Sequence, residues 1–514
     1  MKKKLKQDSI IFFFLGAFSS LSLPPFNFFL INFFTFSLFF FLLFKKSNIQ
    51  SNKKIFFYYG WLFGFGYFLT NLYWITISLT FDHNFNFLIP IALIIIPAFL
   101  ALFYGIVTLF FYIFNFKNLI SAFFLFSLLF GFIEFVRGNV LTGFPWNLII
   151  YSFSENISFL SFISVIGTYS LNLLLITLFT APALYIMRRS KKEIILSILI
   201  LLFPILLFTF SSFQKKFFLS KEIKKNPYTI RVIGSNISLD RFYENTDAES
   251  VINELINLSS PDQEKKIFFL WPEGIIPNTY QDELDLYINQ FKKKFNKNHL
   301  IGLGITSRSL NKDKYNYFNS FSIFDNNLSL IENYNKVNLV PFGEFLPFEK
   351  FLNKIGLKVI TNNFGSFTKG SSRKILQIES NSQNLRFLPL ICYEIIYSGN
   401  LSKNSNFDFI LNISEDGWFG KSIGPKQHFA HSKLRAIESG KYVVRSANNG
   451  MAAIINPLGE IEKKIDYDEA GFIDFEKRRD IEPTIFSIYG NKIFIISILL
   501  YIFLIFSFNR FKNE

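Results

Sequence analysis

Up to about Ser212 the chain is built from long apolar blocks separated by short polar breaks. A helix needs about 20 apolar residues to cross a bilayer. Blocks of that order run over 9–24, 28–44, 55–80, 88–114, 119–136, 157–187 and 194–212. Pro24 and Pro25 cut the first one short. Only four acidic residues, Asp82, Glu134, Glu155 and Glu193, fall between Ser9 and Ser212. An eighth block, 487–508, lies near the C-terminus. The pattern predicts seven spans, a water-soluble domain over 226–483 and one last span. The start MKKKLK followed by an apolar run has the outline of a secretory signal. Six further blocks follow it and no A-x-A-like site lies near Ser19–Ser20, so it reads as a first span that stays.

Between 226 and 483 the apolar runs shorten. TIRVIGSNI at 229–237 alternates and is β-branched, which predicts a strand. A polar helix is predicted over 246–259 and a buried strand over 266–271, KIFFLW, running into PEG. A helix over 281–296 and a strand over 299–306 follow. Residues 317–325 and 328–335 read as paired strands about a turn at Asn326–Asn327. Buried strands are predicted at 386–392 and 407–413, a helix at 425–439, and strands at 442–447 and 451–456. Short apolar strands alternating with amphipathic helices predict an α/β domain with a covered sheet.

The formal net charge is +15, which points to nucleic acid or to an anionic membrane surface. Its placement decides. Lys2, Lys3, Lys4, Lys6, Lys45, Lys46, Lys53, Lys54, Lys117, Arg188, Arg189, Lys191, Lys192, Arg510 and Lys512 all flank one side of the predicted spans. The opposite loops, 81–87 and 137–156, carry only Arg137. By the positive-inside rule both termini are cytoplasmic and 226–483 lies on the far side. No basic patch with interleaved aromatics argues for nucleic acid. A single cysteine, Cys392, excludes a disulfide scaffold and a Cys-rich zinc site. The 72 phenylalanines read mostly as lipid-facing bulk.

Cys392 ends a predicted buried strand. As a lone cysteine it is either a small core residue or a nucleophile. His428 and His431, three apart, allow a Cys–His dyad or a two-His metal face, but neither has a third partner in a known motif. Glu273 in WPEG and Lys336 in NKVNLVPFGE also sit where strands meet loops, the place where α/β sheets gather ligands. For an arbitrary Glu/Lys pair a surface salt bridge is the plainer reading. Glu134 and Arg137, three apart at the end of a span, are either a functional intramembrane pair or an anchor for the loop carrying GFPW.

The series WPEG, NKVNLVPFGE, LICYE and NISEDGWFG, in this order from Trp271 to Gly420, resembles the nitrilase superfamily with its Glu-Lys-Cys triad. LVPFGEFLPF, GPKQHFAHSKLRAIESGKYVVRSANNG and LTGFPW at 141–146 narrow this. With the eight blocks, they make the whole chain similar to the apolipoprotein N-acyltransferase family. The resemblance implies a polytopic α-helical membrane domain with about eight transmembrane helices. It adds an extracytoplasmic α/β nitrilase-like domain, an α-β-β-α sandwich. The divisions are 1–212, 226–483 and 487–508.

It also implies Cys392 as nucleophile, Glu273 as general base and Lys336 as oxyanion stabiliser, with Lys336 lowering the thiol pKa. Glu344 would be a second carboxylate orienting Lys336 or the amine. Tyr393 and Glu394 would shape the pocket, Asn319 would support it, and Trp418 and Phe419 would belong to a mobile loop over the acyl site. Core burial is the plainer alternative for the last two. The implied substrates are a membrane phospholipid as acyl donor and a diacylglyceryl apolipoprotein as acceptor, with no metal and no soluble cofactor. The implied setting is the bacterial inner membrane, as a monomer.

The family's Trp after its first outer strand is missing. Here Asn236–Ile237 is followed by SLDRFYEN, which offers Phe242 and Tyr243 instead. Two rival classes remain: a membrane-tethered carbon–nitrogen hydrolase using water, and a transporter or scaffold with a degenerate domain.

Overall fold

The computed structural model describes all residues except 1, 50–51, 244–245, 313, 353, 355–358, 360–364, 380–382, 400, 402–405 and 511–514. Lys512 lies outside the described residues. The chain forms two compact units. One comprises Met1–Thr76, Phe87–Phe217 and Thr484–Glu514; the other comprises Ile77–Asn86 and Phe218–Pro483.

The first unit is helical. Six helices among the described residues are long and apolar enough to cross a membrane: Lys53–Thr80, His83–Phe114, Leu119–Asn139, Ile163–Ile186, Lys191–Ser220 and Lys492–Arg510. The sequence pattern gives eight. Its first two blocks are also helical, Lys2–Ser19 and Ile31–Ser47, but fall outside the set. The former opens on a run of lysines. The latter has 17 residues, about 25 Å at 1.5 Å per residue, short of a hydrocarbon core of about 30 Å. Ile195, Leu199, Leu202, Ile205 and Leu206 stay exposed on Lys191–Ser220, as a lipid-facing surface requires. This is a multi-pass membrane chain.

Packing within this unit follows the rules of helices in lipid, where small residues and interhelical hydrogen bonds take the place of hydrophobic burial. A Cβ on Gly60 would lie 2.2 Å from the Tyr104 carbonyl oxygen, so only glycine allows that approach. The last helix is tied in by Ser121 Oγ donating to the Ile505 carbonyl at 2.9 Å and Asn118 Nδ2 to the Phe508 carbonyl at 3.1 Å. Arg137 pairs with Glu134, which also accepts from the Tyr104 hydroxyl. The same guanidinium donates to the carbonyls of Phe144 and Trp146 at 2.6 and 2.8 Å. That is the anchor reading: a buried charge pair fastens the GFPW loop to its helix.

The second unit holds one twelve-stranded sheet: β1 (Ile223–Ser235), β2 (Ile267–Leu270), β3 (His299–Asn311), β4 (Lys314–Phe324), β5 (Leu330–Asn335), β6 (Leu376–Ile378), β7 (Leu385–Ile391), β8 (Phe409–Glu415), β9 (Tyr442–Asn448), β10 (Ala452–Ile455), β11 (Ile461–Ile465) and β12 (Gly471–Arg479). The order is β5-β4-β3-β2-β1-β9-β8-β7-β6, with β12 on β1 and β10–β11 on β9. β1, β2 and β3 are parallel, as are β7, β8 and β9. The two halves are joined as one sheet at the C-terminal ends of β1 and β9, where Gly234 pairs with Ala447 and Ser235 with Asn448.

Strand alternation explains the layers. Phe268 and Leu270 of β2 enter a core shared with Phe387, Phe409, Leu411 and Val444 from the other half. The Phe268 and Phe387 rings stand 5.9 Å apart. Ile267 and Phe269 point the other way, against Val251, Ile252, Leu255 and Ile256 of the helix Ala248–Ser259. The two half-sheets therefore face each other, with helices outside. This is the α-β-β-α arrangement of a nitrilase-like domain, with a nearly closed sheet.

Three strands escape the sequence reading. β6 is only three residues long, and β11 and β12 carry charges on their exposed positions. The helix expected over 281–296 is a 3₁₀ segment, Gln281–Tyr287, followed by a short helix, Ile288–Lys292. Its first turn is pulled to the sheet by Arg308 of β3, which lies 2.9 Å from both Asp282 and Glu283.

Candidate active site

Glu273 lies just beyond β2, on a turn whose Gly274 has φ +53°. The turn rests directly on β3, because a Cβ at Gly304 would come within 2.4 Å of the Glu273 Cα. Lys336 follows β5 immediately. Its N–H donates to the Asn319 carbonyl of β4 at 2.8 Å, and its own carbonyl accepts from Gly370 N–H at 2.8 Å. Cys392 follows β7 and has φ +47°, the left-handed region that disfavours a side chain. The topology brings these strand ends to one place.

There the side chains form a buried polar cluster. Lys336 Nζ lies 3.1 Å from Glu273 Oε1 and 2.9 Å from Glu344 Oε1. The amide of Asn319 donates to the same two oxygens at 2.7 and 2.6 Å. Glu273 Oε2 accepts from the Glu415 N–H at 3.0 Å, which reaches across to β8. Lys336 is 1% exposed, so the surface-pair reading fails: this ammonium is buried between two carboxylates.

Burial lowers the Lys336 pKa, but Glu273, then Glu344, then Cys392 outweigh it, and the ammonium is held well above its usual range. For Glu344 burial comes first; against it Lys336 favours the carboxylate, while Glu273 opposes it, and the net direction is upward.

Cys392 is 7% exposed. Burial, then the Glu273 charge, push its thiol well above the usual range; Lys336 pulls the other way without prevailing. Lys336 does lower the thiol pKa, as expected, but burial and Glu273 carry the net direction upward. The resting group is the thiol, and it needs a base.

Glu394 does structural work on both sides of the cluster. It accepts from the Tyr334 hydroxyl at 2.9 Å, from Val337 and Asn338 N–H at 2.9 and 3.1 Å, and from Ile391 N–H at 2.9 Å. One fully buried carboxylate thus joins the segment after Lys336 to the residue before Cys392. Tyr393 is buried, edge-on to Tyr397 at 5.6 Å.

Trp418 and Phe419 are half-buried rather than core residues. Trp418 stacks on Phe242 at 5.5 Å and meets the edge of Phe81 at 5.7 Å. Of the two aromatics that follow Asn236–Ile237, Phe242 makes this contact, while Tyr243 is exposed.

His428 reaches the backbone of Cys392 and the Asp416 carboxylate. Its Nδ1 lies 2.9 Å from Asp416 Oδ1 and its Nε2 3.3 Å from the Cys392 carbonyl oxygen. Among the described residues no group of three or more His, Cys, Asp or Glu side chains could hold a metal ion. The sequence reading misses Ser414, Asp416, Arg445 and the buried Arg241–Glu415 pair. The signal was present in the SED of NISEDGWFG, where consecutive polar residues end a wholly buried strand.

The fold and this cluster define a carbon–nitrogen hydrolase type of domain carried on a multi-pass membrane chain. Residues 268–479 match the family model for carbon–nitrogen hydrolases, and 15–181 match that for the apolipoprotein N-acyltransferase N-terminal domain. The chain is 32% identical over 475 residues to an apolipoprotein N-acyltransferase of Rhizobium leguminosarum bv. trifolii, covering 89% of this chain and 88% of that one. It is 31% identical over 510 residues to one from Rhodopseudomonas palustris, covering 94% and 92%. Among solved structures it is similar to an amidase of the nitrilase superfamily from Nesterenkonia AN1, with 12% identity and a TM-score of 0.35, over 49% of this chain and 91% of that one. The chain belongs to the apolipoprotein N-acyltransferase family.

Proposed function

We propose that the protein moves an acyl chain from a membrane phospholipid to the α-amino group of the N-terminal S-diacylglyceryl-cysteine of a lipoprotein, the last step of lipoprotein maturation. The observation that carries this reading is the buried Glu273–Lys336–Glu344 cluster at the strand ends where the chain's one cysteine sits. Cys392 Sγ attacks the ester carbonyl while Glu273 takes the thiol proton. Lys336 Nζ stabilises the oxyanion. Glu273 returns the proton to the departing alkoxide, a lysophospholipid leaves, and a thioester remains. The lipoprotein amine then attacks the thioester. Glu273 accepts the amine proton, and the thiol re-forms as the amide departs.

Glu344 and Asn319 orient Lys336 and Glu273, the two groups their hydrogen bonds reach. Trp418, Phe419 and Phe242 border the acyl site. Both substrates are anchored in the bilayer, so the membrane spans confine their search to two dimensions. The chain sits in the inner membrane as a monomer, with cytoplasmic termini and its catalytic domain outside, as the flanking lysines and arginines favour.

The same thioester would serve a hydrolase, and product analysis separates the two. With an acyl-labelled diacyl phospholipid and a diacylglyceryl-cysteine peptide, the label is expected on the peptide amide. Label released as free fatty acid, at one rate with or without peptide, would instead show that water is the acceptor and favour a hydrolase.

A further inference from the structure

The mechanism leaves a second buried polar network unused. Arg445 Nη2 lies 2.7 Å from Asp416 Oδ2, and Arg445 also donates to Asn412. Asp416 Oδ1 accepts from the Ser414 hydroxyl at 2.7 Å and lies 2.9 Å from His428 Nδ1. The edge of the Phe419 ring closes on the imidazole at 5.4 Å. Asp416, His428 and Arg445 are each 0% exposed. Asp416 is held well below the usual carboxylate range, because Arg445 and His428 outweigh its burial. The buried imidazole therefore has a charged partner at Nδ1 and an aromatic ring against it.

What this ring holds is the backbone of Cys392. Its Nε2 stands 3.3 Å from the Cys392 carbonyl oxygen. A carbonyl can only accept, so Nε2 is the donor in this contact. Cys392 has φ +47°, a strained conformation for a non-glycine residue that persists only where its surroundings impose it. Glu394 restrains the preceding residue through the Ile391 N–H. On the carbonyl side the 3₁₀ turn Cys392–Ile396 begins, and His428 adds a side-chain restraint to it.

We propose that His428 is a positioning residue: clamped by Asp416 and Arg445, it grips the Cys392 carbonyl and keeps the left-handed backbone that presents the thiol to Glu273 and Lys336. This rests on reading Cys392 as the nucleophile. It differs from a Cys–His dyad, since the imidazole acts through the main chain and exchanges no proton with sulfur. Misplacing a reacting atom by about 1 Å costs on the order of 10² in rate, so the effect falls on turnover and not on substrate binding.

The test compares three variants of the full-length protein with phospholipid and diacylglyceryl-cysteine peptide. His428→Ala is expected to lower kcat by about 10- to 100-fold with KM within about twofold. His428→Gln places an amide N–H near the lost Nε2 and is expected to recover most of that rate. His428→Asn keeps the contact with Asp416 but falls short of the carbonyl, and is expected to stay near the alanine level. Gln and Asn have comparable polarity, so a general need for a polar side chain cannot separate them; only variants with wild-type melting temperature are compared. Wild-type turnover in His428→Ala, or equal rates for Gln and Asn, would overturn the proposal. A wild-type protein that forms no acyl adduct on Cys392 would remove the underlying reading instead.

Discussion

Cys392→Ser is expected to abolish acyl transfer, by more than about 10³-fold, while leaving the protein folded and membrane-inserted. Sulfur is the nucleophile in this account, and the cysteine and serine side chains are close in volume. The site is arranged for a thiol that starts protonated. Burial and Glu273 raise the Cys392 pKa, so the thiolate is made only as Glu273 takes the proton. A hydroxyl starts from a far higher pKa, and the same carboxylate cannot activate it at neutral pH. Turnover comparable to wild type in this variant would remove Cys392 from the mechanism.

Lys336→Met is expected to have the second largest effect, and to act on two observables. Turnover falls by about 10²- to 10³-fold, because the developing oxyanion loses its cation. Stability falls as well, by roughly 3–5 kcal/mol, because removing one member of a buried ion cluster leaves uncompensated charge. Glu273 and Glu344 both rely on Lys336, at 3.1 and 2.9 Å. The double variant Lys336→Met/Glu344→Gln separates the two effects. With one carboxylate made neutral, melting temperature is expected to recover in part, while turnover stays at the single-variant level. Recovery of turnover alongside stability would show that Lys336 serves the fold and not the reaction.

Much of this architecture is legible in the chain. KIFFLW reads as a strand because β2 buries both faces, Phe268 and Leu270 inward and Ile267 and Phe269 outward, so no polar position interrupts it. β12 escapes because Lys477, Arg478 and Arg479 make it look like a surface segment, although Phe475 enters the core. The membrane blocks are plain from hydropathy. Their number turns on two helices outside the spanning set, the lysine-led Lys2–Ser19 and the 17-residue Ile31–Ser47.

In the site, Glu273, Lys336, Glu344, Asn319 and Cys392 stand out through their motifs, and their convergence depends on strand order that no local pattern encodes. Glu394 stands out only as the neighbour of Cys392. Its grip on Val337, Asn338 and Ile391 is a tertiary fact. The direction of the Cys392 shift is likewise invisible in sequence. An adjacent lysine suggests a lowered thiol pKa, and burial together with the Glu273 charge reverses that sign.

The most direct test of the central claim is intact mass spectrometry of the purified protein after incubation with a defined diacyl phospholipid, beside Cys392→Ala. The account predicts a mass gain of one acyl chain on the wild type alone, lost on adding a diacylglyceryl-cysteine peptide that itself gains the chain. No adduct on the wild type together with no acylated peptide, or an adduct that persists in Cys392→Ala, would contradict it.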